Sequence, residues 1–333
     1  MNFGWPMGKI APCLPFSIVH YSFPKMPTQT LSRRRAITTI GASVGASVLS
    51  VAESQAAAKP AAPFTLCLNM STIMGHKLGF VKELETASKA GFRSVEIWMN
   101  SLQAYLEKGG TLSEAKQRLN DLGLKVENAI GFATWIVDDE AQRTKALDQL
   151  KREMEQLAAI GCSRTAAPPM GATKEPGLDL KKAAERFRKI CELGDQTGVH
   201  PQLELWGFSQ NLNRLSDVMY VATEAGHPSA RVLLDVYHLY KGGSAIESLP
   251  LVGKPGIEVF HINDYPTIAP ATIVDADRIY PGDGIAPIKS ILNAIRNPNR
   301  PIVLSFEVFN KGYYAQDALV VAKTALAKMK AIV

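Results

Sequence analysis

Cysteine is scarce, with four residues in 333. Cys13 falls in an N-terminal leader described below. Cys67, Cys162 and Cys191 form an odd set without close spacing, which excludes a disulfide framework and predicts buried thiols. Long apolar runs are also missing: the stretch at residues 37–51 is too short, and too rich in Gly, Ala and Ser, for a membrane span. No glycine-rich phosphate turn follows the first strand-like run, where the chain reads NMSTIMGHK, so a dinucleotide-binding open sheet is disfavoured. A genuine charge excess is lacking too. The formal charge is +6, but residues 1–56 carry Lys9, Lys25, Arg33, Arg34 and Arg35 against Glu53 alone, leaving about +2 for the remainder. The basic balance therefore gives no support for a nucleic-acid partner.

What is present begins with that leader. Ser32-Arg33-Arg34-Arg35-Ala36 is a twin-arginine pattern, followed by a weakly apolar segment and the small residues Ser54-Gln55-Ala56-Ala57-Ala58. Residues 1–58 are expected to be a cleaved export signal, delivering the mature protein to the periplasm with no stable membrane anchor after processing. The 31 residues before the motif are long for a charged leader, which makes Met26 a candidate start.

From Pro63 onward, short apolar runs alternate with amphipathic stretches. The strand-like runs are 64–70, 94–98, 125–130, 163–168, 200–206, 231–238, 257–264 and 301–308. The helical patterns are 79–90, 113–123, 139–161, 179–198, 213–226, 286–296 and 315–332, and several end in Gly leading straight into the next strand (KAGF, DLGL, AIGC, QTGV, EAGH). Eight βα units predict an α/β fold, a (β/α)8 TIM barrel forming one domain over 59–333. Residues 241–256 read as a loop with at most one helical turn. Residues 264–284 form a second long loop, expected over the barrel mouth.

Four of the strand-like runs end on a polar residue: Glu204 in HPQLELW, Asp235 in RVLLDVYH, His261 in IEVFHIND and Glu307 in PIVLSFEV. Carboxylates flanked by Leu, Val and Phe are buried only when paired or bound to a cation. In a parallel barrel such strand ends converge on one mouth. Three carboxylates and one imidazole make a donor set for a single divalent ion, and Mn2+, Mg2+ or Co2+ suits it better than a structural Zn2+. A structural ion network is the plainer alternative. His238, three residues after Asp235, is a further ligand or a group for substrate. Arg278 either reaches a polyhydroxylated substrate or pairs with a loop acid such as Asp275. Trp98 and Trp206 stand on the inner-facing parity of their strand ends, as pocket walls or core. Glu96, Asn263 and Asp264 are secondary mouth residues. His76 is a weak candidate, His200 is at the opposite end, and His227 is expected to be exposed.

Taken together, Glu204, Asp235-x-x-His238, His261-x-x-Asp264, Arg278-x-x-Pro281-Gly282-x-Gly284 and Glu307 resemble the signature of the sugar phosphate isomerase/epimerase family, within the xylose-isomerase-like barrel superfamily. The likeness covers essentially the whole mature chain. It implies one divalent ion, usually Mn2+, held by Glu204, Asp235, His261 and Glu307. It also implies that Glu204 and Glu307 shuttle protons and that His238 and Arg278 bind substrate oxygens. Two departures stand out: YPTIAPATIVDA is inserted between His261 and Arg278, and Gln210 stands where ketose epimerases often carry a second acid. Endonuclease IV, in the same superfamily, needs further histidines on early strands. Here strands two and three offer Glu96 and Glu127, so DNA repair is not expected.

The expectation is a divalent-metal-dependent isomerase or epimerase of a small-molecule carbohydrate, acting through an enediolate. A lyase or dehydratase on keto-inositols or 3-keto-glycosides is the first alternative, and a non-catalytic sugar-binding barrel the second. Self-association into a homo-oligomer is left open.

Overall fold

A computed structural model describes residues 62–333 of the chain; the twin-arginine segment within residues 1–58 lies outside the described residues. The strands are β1 (Phe64–Asn69), β2 (Ser94–Trp98), β3 (Lys125–Ile130), β4 (Arg164–Ala167), β5 (His200–Glu204), β6 (Arg231–Asp235), β7 (Ile257–Ile262) and β8 (Ile302–Phe306). The helices are α1 (Ser71–Met74), α2 (Phe80–Ala90), α3 (Met99–Glu107), α4 (Leu112–Asp121), α5 (Glu140–Ala159), α6 (Leu180–Thr197), α7 (Leu215–Glu224), α8 (Val236–Lys241), α9 (Ile288–Ile295), α10 (Lys311–Tyr314) and α11 (Ala318–Ile332). Among the described residues no helix is long and apolar enough to cross a membrane.

All strand pairs are parallel, and the order β3-β2-β1-β8-β7-β6-β5-β4 joins the first and last strands, β1 and β8. The eight strands make a nearly closed TIM barrel. Between β3 and β4 side chains replace the ladder: Arg164 Nη1 donates to Glu127 O (3.1 Å) and Thr165 Oγ1 to Ala129 O (3.4 Å).

The period of two sorts each strand's side chains. Outward positions such as Leu68, Val95, Leu203, Leu234, Phe260 and Leu304 pack under the helices in the main core. Inward positions form a separate apolar layer, Cys67, Ile130, Ala166, Leu233, Val259 and Val303. Two residues further along the same strands come Asp235, His261 and Ser305, so a polar layer rests on an apolar plug. The amino-terminal end is tied by Arg164 and Arg231 to Glu258 (2.6 and 3.1 Å) and by Lys125 to Glu127 (2.8 Å). The three cysteines of the described residues are free and buried, as expected.

Several elements depart from the sequence reading. The run expected as strand to residue 238 ends at Asp235, and α8 starts at once because the Asp235 carboxylate caps it, accepting from His238 N (3.0 Å). α3 follows β2 with no connecting turn and no side-chain cap, so no punctuation marked it. Within the expected loop 241–256, a 3-10 helix spans Ile246–Val252.

The long segment after β7 is held at both ends. Asp264 and Ile279 form an antiparallel bridge. Tyr240 Oη and Lys241 Nζ on α8 donate to Ile268 O (2.8 Å) and Ile273 O (2.9 Å). The segment thereby delivers Arg278 into the barrel, where it is 1% exposed.

Candidate metal centre and substrate pocket

Asp235, His261 and Glu307 each bring one ligand-type atom into a group whose members all lie within 4.8 Å of one another. β6 and β7 pair in register with Asp235 opposite His261, and Glu307 follows the last residue of β8. Glu204, expected as the fourth ligand, ends β5 and is buried like the others but stands outside that group. Its Oε2, like His261 Nδ1, is a buried polar atom without a hydrogen-bond partner. Unpartnered donors of this kind, beside two carboxylates, fit a divalent cation.

The orientation of His261 is set from behind. Its Nε2 lies 3.0–3.1 Å from the Glu96 carboxylate, which only accepts, so the proton resides on Nε2 and Nδ1 faces Asp235 (3.7 Å) and Glu307 (3.2 Å). Glu96 is fixed in turn by Asn69 (2.8 Å), Asn128 (2.7 Å) and Ser305 (2.5 Å). This is the carboxylate–histidine arrangement that orients metal-binding imidazoles. Glu96→Gln is expected to weaken divalent-metal binding about 10- to 100-fold, because the amide presents its NH2 to donors that need an acceptor. Calorimetric titration with divalent ions checks this, and unchanged affinity would remove Glu96 from the role.

Arg278 meets the same carboxylates. Nη1 donates to Asp235 (3.2 Å) and Glu307 (2.7 Å), Nη2 to Asp275 and toward His238 Nε2 (3.1 Å), and the guanidinium lies over the Tyr237 ring at 4.4 Å. Arg278 pairs with Asp275, one of the two sequence alternatives, and it also lines the pocket. Protonation follows from these contacts. Burial pushes Glu204 up to about 8, against the pull of His261 and a hydrogen bond from Trp206. Glu307 is buried as well, yet His261 and Arg278 hold it well below the usual carboxylate range. Asp235 is raised by burial, with Arg278 and His261 opposing. Burial disfavours a charged His261, but Glu96 and Glu307 outweigh it and raise its pKa; a cation taking Nδ1 would displace a proton. His238 stays neutral through burial and the adjoining Arg278 charge.

Above the cluster opens a pocket of about 410 Å3 lined by Glu204, Glu307, His238, Arg278, Asp275 and Lys311 together with five aromatic rings. Trp98 and Trp206, left by the sequence as pocket wall or core, are among the rings, and Trp98 also packs against the core. Phe132, Phe208 and Phe309 were missed; each stands just past a strand end, which is the only sequence signal they carry. Asn69 was missed too, though a buried Asn ending an apolar strand was a legible hint. It bonds Glu96 and Glu307 and accepts from Trp98 Nε1 (2.9 Å). Three residues weighed earlier lie elsewhere. His76 bonds Ile73 O and Gln316 O. Glu127 joins the amino-terminal ion network rather than the mouth. His227 is packed against Asp195 (3.4 Å) and its side chain is only 6% exposed, contrary to the expected exposure.

Residues 84–332 match the family model described as a xylose isomerase-like TIM barrel. An inosose isomerase of Bacillus velezensis is 26% identical over 273 residues, 80% of this chain and 96% of that protein. A 3-dehydroshikimate dehydratase of Pseudomonas putida is 26% identical over 251 residues, 70% of this chain but 36% of that longer protein. Among solved structures, an IolI protein with a bound zinc atom superposes with a TM-score of 0.74 at 24% identity, covering 81% of this chain and 98% of that one.

Proposed function

This chain belongs to the xylose isomerase-like TIM barrel family, and from that premise we propose that it is a divalent-metal-dependent isomerase or epimerase of a keto-sugar or keto-cyclitol, working by proton transfer next to a carbonyl through an enediolate. One observation carries the reading: two buried carboxylates line one pocket with opposite proton affinities, Glu204 pushed up to about 8 and Glu307 held down. Environments that separate two such groups assign an acid and a base. Arg278 touches Glu307 and not Glu204, so the ordering comes from the residues themselves. Glu307, ionised, takes the proton from the carbon beside the carbonyl, and Glu204, protonated, gives its own proton to the enediolate. His238 and Arg278 orient substrate oxygens, and the aromatic walls exclude water. Asp235, His261 and Glu307, with Glu204 beside them, would hold a divalent ion, which would supply Lewis acidity to a carbonyl and its adjoining hydroxyl when bound. Mn2+ is the ion we assign, on the oxygen-rich donor set.

The dehydratase relative supports a second reading, in which the same deprotonation is followed by loss of a β-oxygen substituent. Export to the periplasm belongs to the proposal as well, since glycosides are met there more readily than phosphorylated intermediates. Incubating the Mn2+-loaded protein with keto-inositols and keto-sugars in deuterated water tests both. Deuterium at the carbon beside the carbonyl in recovered isomer is the expected result, and release of water or aglycone selects the lyase. Sugar recovered unaltered and unexchanged would leave a binding protein only.

A further inference from the structure

The rings around the pocket close on themselves. Starting from Phe309, centroid separations run 6.0 Å to Trp98, 5.3 Å on to Phe132, 6.3 Å to Trp206, 5.2 Å to Phe208 and 5.7 Å to His238. Arg278 completes the circuit, 3.1 Å from His238 and 5.1 Å from the Phe309 centroid. These residues come from the ends of six of the eight strands, so rings and the guanidinium line most of the mouth.

The pocket therefore has two levels of opposite chemistry. At the floor stand Glu204 and Glu307, with Glu204 Oε2 and Arg278 Nε as buried polar atoms without a partner. The walls offer almost nothing to a hydroxyl. Apart from His238, whose neutral ring can accept from Gly207 N (3.2 Å) or from Arg278 (3.1 Å) but not from both, only Asp275 and the exposed Lys311 add polarity at the rim. A polyol raised to that level would surrender its hydrogen bonds to water without replacement. A flat apolar ring would lose nothing and gain contact on several sides. The outermost wall is poised for it: Trp206 and Phe208 stack at 29° into a platform, and Phe208 is 44% exposed. Gly207 between them has no room for a side chain, since a Cβ there would collide with His238 O, and this sets the platform's height over α8. Nor is the mouth built for a phosphate: of its cations, Arg278 is already committed to three carboxylates, leaving Lys311 alone.

We propose that this aromatic cuff is a second subsite, above the metal cluster, for a planar aromatic substituent on the sugar. The substrate class is then an aryl glycoside carrying a ketone on its ring, rather than a free or phosphorylated keto-sugar. The inference rests on the proposed function only for what occupies the floor.

Binding of phenyl β-glucoside and methyl β-glucoside to the Mn2+-loaded full chain, read by tryptophan fluorescence and calorimetry, tests it. Neither probe carries the ketone, so the readout is independent of turnover. The phenyl compound is expected to bind about tenfold more tightly, with a change in tryptophan emission from Trp98 and Trp206. Phe208→Ser, at an exposed position the core does not need, is expected to remove most of that preference. Equal affinities for the two glucosides, or no binding of the phenyl compound, would overturn the cuff whatever solvent exchange reveals. Absence of exchange with tight phenyl binding would instead sink the proposed chemistry and keep the subsite.

Discussion

Glu307→Gln is expected to lower turnover at least about a thousandfold at saturating Mn2+, within the range that a positioned general base contributes. The substitution is close to isosteric, and the Asn69 amide that bonds Glu307 Oε1 at 3.1 Å can still find an acceptor. What is lost is the ionised oxygen that His261 and Arg278 hold deprotonated. A neutral amide is also a poorer ligand, so Mn2+ affinity must be titrated and turnover read at saturation. Glu307→Asp keeps the charge but withdraws it, and should recover part of the rate. Glu204→Gln separates the two roles: abstraction by Glu307 persists, so solvent deuterium should still enter the substrate while isomer formation falls. Undiminished turnover in Glu307→Gln would remove the proposed base outright.

The legibility of this site in the sequence follows the range of the contacts involved. Glu204, Asp235, His261 and Glu307 stood out because a charged residue inside a short apolar run has few explanations, and chain order plus barrel closure does the rest. Glu96 was visible as a buried acid but not as the partner of His261, which is 165 residues away in the chain and joins it only across the barrel. The separation of Glu204 from the other three depends on side-chain reach, which strand parity does not encode. α8 was read as strand because Val236 and Tyr237 continue the apolar run; the boundary is set by the Asp235 side chain turning back to cap the helix. The cuff shows no periodicity, because its rings come from four different strand ends, with only Trp206 and Phe208 sharing one, and they meet only in space. The insertion after His261 straps to α8 and carries Arg278 inward, contacts between distant segments that the sequence does not spell out.

That strap has one anchor whose loss should be costly. Asp264 is 1% exposed, and its carboxylate accepts four backbone N–H groups: Tyr265 (2.8 Å) and Ala286 (2.9 Å) on Oδ1, Gly282 (2.9 Å) and Gly284 (3.0 Å) on Oδ2. The chain closes so tightly there that a Cβ on Gly284 would collide with Tyr265 O and the Asp264 carboxylate itself. Asp264→Asn turns one acceptor oxygen into an NH2 group facing two amide hydrogens that have no other partner. Hydrogen bonds to charged acceptors are worth about 1.5–3 kcal/mol each, and buried donors left unmade cost their desolvation, so a loss on the order of 3–5 kcal/mol is expected. In a domain of this size that lowers Tm by roughly 10 °C. Residues 264–284 should open first, becoming sensitive to protease and fast in hydrogen exchange. With them goes the position of Arg278, leaving Asp235 and Glu307 without their shared donor. Asp283→Asn is the control on the same loop: its pairing with Lys328 is more than a third exposed on both sides, and a surface pair contributes about 0–1 kcal/mol. Equal melting of the two variants would show that the Asp264 carboxylate does not hold the strap, and Arg278 would then need another explanation for its burial.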